Sequence, residues 1–282
     1  MTRRRSGAFL ALCAAVAALS LGARASAGTF SVFSQNTLHM GWGKAPYQTD
    51  KNGYFKNTLM GTTYDVILMQ EVMPKLGGLN TVWPNPPTGS YYVFESAAAG
   101  KSTYRETYGT LVKASLGNVV LPVGGASYTC YSGAGFSRPP CGVLVKIGQV
   151  GTWFLDYHAM FGNVHNRAAE VGNMSTVVAT FASMSVSGTQ YSRVVVGGDW
   201  NFSKAELAKI LTLAGTTLDP DTETSLTPTG ALSSRYDHFW CSSGVSCTNA
   251  SAITAPPSPF NTLPKFRAGV SDHVGVTITV TY

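Results

Sequence analysis

The sequence predicts an α/β layered domain rich in strands, and three observations carry that prediction. Apolar runs of strand length recur along the chain, and helical patterns fall between some of them. No repeat, charge block or long linker divides the chain. The strand-like runs cover residues 29–34, 64–70, 91–95, 109–113, 141–147, 152–157, 193–197, 236–241 and 274–281. Several are apolar on both faces, as strands buried on both sides are, while the last alternates more cleanly. Val171, Met174, Val178, Phe181 and Met184 step by three and four and form one helical stripe. Ser203 with Glu206 three residues on is a capping-box signature ahead of an apolar stretch from Leu207 to Leu213. Such a chain forms packed sheets with helices outside. Residues 83–89 and 256–264, rich in Gly and Pro, read as surface loops.

The N-terminus has the layout of a secretory signal peptide over residues 1–27. Arg3-Arg4-Arg5 precedes an uncharged apolar run over residues 8–21, and Ala25-Ser26-Ala27 supplies a small-x-small cleavage pattern. The apolar run is short for a membrane span and no later segment approaches the needed length, so no stable membrane insertion is expected. The remaining residues, 28–282, suffice for one large domain. Of the 20 Lys and Arg, Arg3, Arg4, Arg5 and Arg24 fall in the signal and none of the 14 acids does, leaving 16 basic against 14 acidic residues. The net charge of +6 is therefore mostly targeting sequence and carries no argument for a polyanionic partner. Cys13 also falls in the signal. Cys130, Cys141, Cys241 and Cys247 remain, an even set that suits two disulfides in an oxidising, extracellular or periplasmic compartment. Three connectivities exist, of which the local pairs Cys130–Cys141 and Cys241–Cys247 are preferred; no Cys-x-x-Cys spacing supports a metal site.

Residues with chemistry to offer stand at strand ends. Gly198-Asp199-Trp200-Asn201 follows the strand of Val194 to Val196, and extended backbone would send Asp199 and Asn201 to one side. A carboxylate and an amide oxygen there suit a hard cation or a phosphate, and an Asx turn reads equally well. Glu71 ends one apolar strand, His158 another. Asp272-His273 precedes the last, and Asp237 enters a strand where burial demands a partner.

Taken together and in this order, these residues resemble the endonuclease/exonuclease/phosphatase superfamily, and within it deoxyribonuclease I and the catalytic subunit of cytolethal distending toxins. The resemblance runs from Gln35-Asn36 through Gln70-Glu71-Val72, Tyr104 to Tyr108, Phe136 to Pro140, Tyr157-His158-Ala159, Gly198 to Asn201 and Tyr236-Asp237 to Ser271-Asp272-His273. It implies a four-layer α/β sandwich, two mixed sheets packed face to face with helices outside, and a metal-dependent phosphodiesterase acting on nucleic acid, DNA first. In that reading Glu71, Asp272 and Asn36 hold Mg²⁺, or Ca²⁺ or Mn²⁺. Asp199 and Asn201 orient water and phosphate. His158 and His273 share acid and base work, oriented by Glu106 and Asp237, and Arg138 donates to a phosphate oxygen. Tyr104 and Arg105 are offered as nucleotide contacts. A monomer is expected.

Three departures stand out. Trp200 replaces the family's usual Phe, and Leu38 and Met73 occupy places where deoxyribonuclease I has basic residues, which weakens duplex contacts. His39, His165 and His238 have no role to transfer and read as structural or solvated. Competing readings are a phosphoinositide phosphatase or sphingomyelinase, a toxin subunit, and a noncatalytic binding domain on the same scaffold.

Overall fold

The computed structural model describes residues 28–41, 45–59, 64–74, 79, 91–101, 104–116, 119–120 and 128–281. The expected signal segment and the loop at 83–89 lie outside these residues.

Two sheets hold the molecule together, each of seven strands among the described residues. The first contains β1 (Thr29–Met40), β2 (Val66–Val72), β3 (Tyr91–Glu95), β4 (Ala99–Lys101) and β5 (Tyr104–Lys113). The second contains β6 (Val119–Val120), β7 (Thr129–Cys130), β8 (Cys141–Ile147) and β9 (Val150–His158). A small hairpin, β10 (Ser185–Val186) and β11 (Thr189–Gln190), stands apart. The second sheet continues with β12 (Arg193–Asp199), β13 (Gly215–Leu218) and β14 (Asp237–Ser242), and β15 (Ser246–Ala252) and β16 (Val276–Thr281) return to the first. The strand orders are β15-β16-β1-β2-β5-β3 and β13-β14-β12-β9-β8-β6.

The alternation of side chains sorts the core into three layers of contact. Val32, Leu68, Phe154 and Val195 point between the sheets. Their neighbours Phe33, Ile67 and Met69 face outward with α1 (Ala45–Tyr54) and α5 (Leu263–Gly269) through Tyr54 and Phe266. Trp153, Leu155, Val194 and Val196 point out from the second sheet toward α2 (Val164–Gly172), α3 (Met174–Ser183) and α4 (Lys204–Ile210). A period of two in strands apolar on both faces thus produces helix, sheet, sheet, helix. This is the four-layer sandwich.

Several boundaries differ from the sequence reading. β1 runs six residues beyond Ser34, because Gln35, Asn36 and Thr37 are buried polar residues that hide a strand from an apolar count. The stripe from Val171 to Met184 is two helices, broken at Asn173. α4 stops at Ile210, short of Leu213, and has the full capping box of Ser203 and Glu206. Pro264, read as loop, lies in the first turn of α5 behind the N-cap Thr262, where a missing N–H costs nothing. The disulfides are Cys130–Cys141 and Cys241–Cys247. No described helix is long and apolar enough to cross a membrane.

Candidate active site

Strand register assembles the site before any side chain is considered. β12 is parallel to β9 and antiparallel to β14, and Asp199 pairs with His158 on one side and Asp237 on the other. Three titratable residues thus stand in one row at one edge of the second sheet. Gly198 permits the row: its φ is 152°, and a Cβ there would sit 1.8 Å from the carbonyl oxygen of Tyr157. In the first sheet β1 and β2 are parallel, with Asn36 beside Gln70, so Asn36 and Glu71 emerge together. The turn before β16 is tied to β1, since Ser271 Oγ donates to the Asn36 carbonyl (2.7 Å) and Gln35 Nε2 to the His273 carbonyl (2.9 Å).

The two sheet edges meet around a cleft of about 670 Å³. Two imidazole–carboxylate pairs face it: His158 Nδ1 lies 3.0 Å from Glu106 Oε2, and His273 Nδ1 lies 2.7 Å from Asp237 Oδ2. Both imidazoles turn Nε2 toward Asp199 Oδ2, each at 3.6 Å, and His158 Nε2 is also 3.8 Å from Glu71 Oε1. Burial opposes protonation of both rings. For His158 the Arg138 charge opposes it too, but Glu106 and Asp199 prevail and its pKa is raised. His273, paired with Asp237 and close to Asp199, is raised well above the ordinary imidazole value. Burial raises the Asp199 carboxyl, an effect the two imidazoles only partly offset.

Asn36 links the halves, its amide nitrogen donating to Glu71 Oε1 (2.9 Å) and Asp199 Oδ2 (3.1 Å) while its oxygen accepts from the Leu38 N–H (2.9 Å). Burial favours neutral Glu71, yet His39, His158 and Asn36 hold its carboxyl well below the usual range. The residues present fit a divalent cation. Glu71, Asp199 and Asp272 all line the cleft, and a phosphoester would meet repulsion there without a counter-charge. Asp272 Oδ1 is buried and accepts no hydrogen bond, and such oxygens are the donors hard divalent ions take. Ligand atoms also converge within 4.8 Å in two triads, Glu71–Glu106–His158 and Asp199–Asp237–His273, but in each one imidazole nitrogen is already spent on a carboxylate.

A model of the Endonuclease/Exonuclease/phosphatase family matches residues 50–273. The chain belongs to this family. Its members are metal-dependent hydrolases acting on phosphoesters. Similar solved structures include truncated TDP2 of Caenorhabditis elegans (17% identity, TM-score 0.60, covering 90% of this chain and 98% of that one). Another is a mannosyl-6-phosphatase of Bacteroides thetaiotaomicron (13% identity, TM-score 0.60, covering 90% and 100%). A third is an endonuclease/exonuclease/phosphatase family protein of Leptotrichia buccalis (15% identity, TM-score 0.59, covering 88% and 98%). At these identities the likeness is one of fold. No curated protein sequence matches the chain.

The remaining residues expected from the family resemblance fall unequally. Asn201 lines the cleft with φ 53°, its N–H donating to Asp199 Oδ1 (2.9 Å) and its Nδ2 to the Ala159 carbonyl (3.0 Å). The Asx-turn reading and the cleft reading thus hold together, although the backbone is not extended there. Arg138 also lines the cleft, but three of its N–H groups are engaged. Nη1 bonds Glu106 Oε1, Nε the His158 carbonyl (3.1 Å) and Nη2 the Ala159 carbonyl (2.6 Å). One N–H on each of Nη1 and Nη2 remains for a ligand. Arg105 is exposed, and its guanidinium is bonded to the Ala98 carbonyl. The side chain of Tyr104 lies outside the described residues. Met73 is buried, so its place offers no surface contact.

His238 is structural as expected, buried with Nε2 against the Phe202 and Arg235 carbonyls (2.8 and 2.9 Å), and His165 is exposed. His39 stands closer to the site, its Nε2 2.9 Å from Glu71 Oε2. Sequence reasoning also missed Lys51. It is fully buried, its ammonium donates to the Thr37 (2.7 Å) and Leu38 carbonyls, and burial lowers its pKa to about 7 against the pull of Glu71 and Asp272. Ser225 and Ser233, also in the cleft wall, lie in a Ser/Thr-rich segment with no patterned signal. Of seven described non-glycine residues with positive φ, four line the cleft: Leu38, His39, Glu71 and Asn201. Backbone strain gathered at one site is a mark of function.

Proposed function

We propose that the protein is a secreted, divalent-metal-dependent phosphodiesterase that cleaves DNA. One observation carries the reading: two imidazole–carboxylate pairs, each bridging the two sheets, converge on the Asp199 carboxylate. Hydrolysis of a diester needs a proton taken from water and another given to a poor leaving alkoxide, and paired imidazoles serve both needs. A bound divalent ion would supply charge against that building on the phosphate oxygens. Glu71 and Asp272 would hold it, with Asn36 fixing the Glu71 carboxylate. Asp199 would orient the attacking water, and Asn201 with the free N–H groups of Arg138 would hold the phosphate. His158, whose proton affinity Arg138 restrains, takes the role of base. His273 stays protonated to higher pH and takes that of acid. The two disulfides support export to an oxidising compartment.

The test is a chelator-controlled assay of the purified protein on supercoiled plasmid, single-stranded DNA, RNA, a phosphoinositide and a sugar phosphate. Nicking of plasmid that chelator abolishes and divalent ion restores is the expected outcome. Turnover confined to the lipid or the sugar phosphate would replace DNA as the substrate.

A further inference from the structure

We propose that His39 supplies a nitrogen ligand to the divalent ion held by Glu71. The site would then be a mixed nitrogen–oxygen centre favouring ions such as Mn²⁺, Co²⁺ or Zn²⁺ over Mg²⁺. The inference deepens the metal site of the proposed function and rests on that reading.

The contact has the geometry of two ligands to one ion. His39 Nε2 and Glu71 Oε2 are 2.9 Å apart. Two donors at right angles on an ion with bonds of about 2.1 Å lie about 3.0 Å apart, which is the separation seen here. The carboxylate oxygen is buried, and both residues line the cleft that holds Asp272.

The backbone is built to deliver the ring there. β1 and β2 pair in register up to Asn36–Gln70 and again at Met40–Val72, so β1 carries two extra residues opposite Glu71. A bulge of this kind re-aims side chains. It is made with Leu38 at φ 44° and His39 at φ 59°, a costly conformation for two successive non-glycine residues. Buried Lys51 clamps the bend through the Thr37 and Leu38 carbonyls, and Asn36 Oδ1 holds the Leu38 N–H. Two side chains thus fix a strained turn whose product is an imidazole nitrogen beside a buried carboxylate oxygen. Imidazole is a poor ligand for Mg²⁺ and a good one for borderline transition ions.

The experiment loads the purified protein with Mn²⁺ and records pulsed EPR for nitrogen coupling, with natural and with ¹⁵N-histidine-labelled protein. Mn²⁺ and Mg²⁺ affinities are measured alongside by calorimetry. A histidine nitrogen coupled to Mn²⁺ is expected, lost in His39→Ala and in His39→Gln and kept in His165→Ala, with Mn²⁺ affinity falling at least about ten-fold and Mg²⁺ affinity holding within about two-fold. Absence of nitrogen coupling in the wild type overturns the proposal without recourse to a variant, as does coupling that survives in a folded His39 variant. Mn²⁺ bound through nitrogen in a protein that leaves DNA intact upholds this inference and sinks the nuclease reading. DNA cleavage with oxygen-only coupling does the reverse.

Discussion

Glu106 lies on β5 of the first sheet and its partner His158 on β9 of the second, whereas Asp237 lies on β14 of the second sheet and its partner His273 in the turn leading to β16 of the first. Each pair crosses between the sheets, in opposite senses. They differ in how the carboxylate is shared. Glu106 divides its charge between His158 and Arg138, while Asp237 keeps one oxygen buried and without a hydrogen bond and gives the other to His273. The guanidinium therefore separates the proton affinities of two otherwise similar imidazoles, His158 raised and His273 raised further. An acid and a base made from the same side chain need such an asymmetry.

The strongest way to break the comparison is to remove the rings. His158→Ala and His273→Ala are each expected to lower single-turnover cleavage by about 10²–10⁴-fold, and the double variant to fall little further because the two act as a unit. Losses that multiply in the double variant would separate the pairs. Removing the carboxylates has a smaller effect and a directional one. If His158 acts neutral and His273 protonated, the acid limb of the pH–rate profile belongs to His158 and the alkaline limb to His273. Glu106→Gln removes the largest of the effects that raise His158, leaving Asp199 alone against Arg138, so the acid limb moves to lower pH. Asp237→Asn lowers the alkaline limb instead. Movement of the opposite limb in either variant reverses the assignment. Arg138→Met should shift the acid limb upward, by about a unit or less, because a charge that opposes His158 protonation is gone.

The least effect on turnover is expected at Asp156, two residues before His158 and facing Gln70 across the sheets at 2.5 Å. Burial raises its pKa to about 8, so the folded state keeps a proton that the unfolded chain releases near pH 4. Stability from this group is full below that value and declines as pH rises to about 8. Asp156→Asn keeps the oxygen that Gln70 donates to and abolishes the decline. Its melting temperature should match wild type near pH 4 and exceed it above about pH 8, with activity within about two-fold. An equal gain at both pH values would place the effect in packing and not in the proton.

How much of this could be read beforehand depended on whether burial coincided with apolarity. Val194-Val195-Val196 announces β12 because its neighbours on both sides are core, and Ser203 with Glu206 announces α4 because a cap is a local event. The continuation of β1 through Gln35-Asn36-Thr37 is invisible to the same reasoning, since its burial is satisfied by hydrogen bonds to distant segments. The Glu106–His158 and Asp237–His273 pairs followed from family resemblance and not from spacing, as 52 and 36 residues separate the partners. His39 escaped because a bulge, not a periodic strand, brings it to Glu71, and Lys51 because it reaches the same bulge from α1. Pro264 had a signal that went unread, a Thr N-cap ahead of a proline able to open a helix.

The pairing of β1 with β16 has a consequence for timing. A growing chain that has not yet produced residues 271–281 lacks the neighbour that completes β1, the serine that ties the turn to Asn36, and His273 itself. Each element of the cleft that comes earlier in the sequence can be present while the hydrolytic centre is still open on one side. Synthesis from the N-terminus thus withholds the second imidazole until the closing strand docks, and the cleft gains its full set of titratable groups only at that last event.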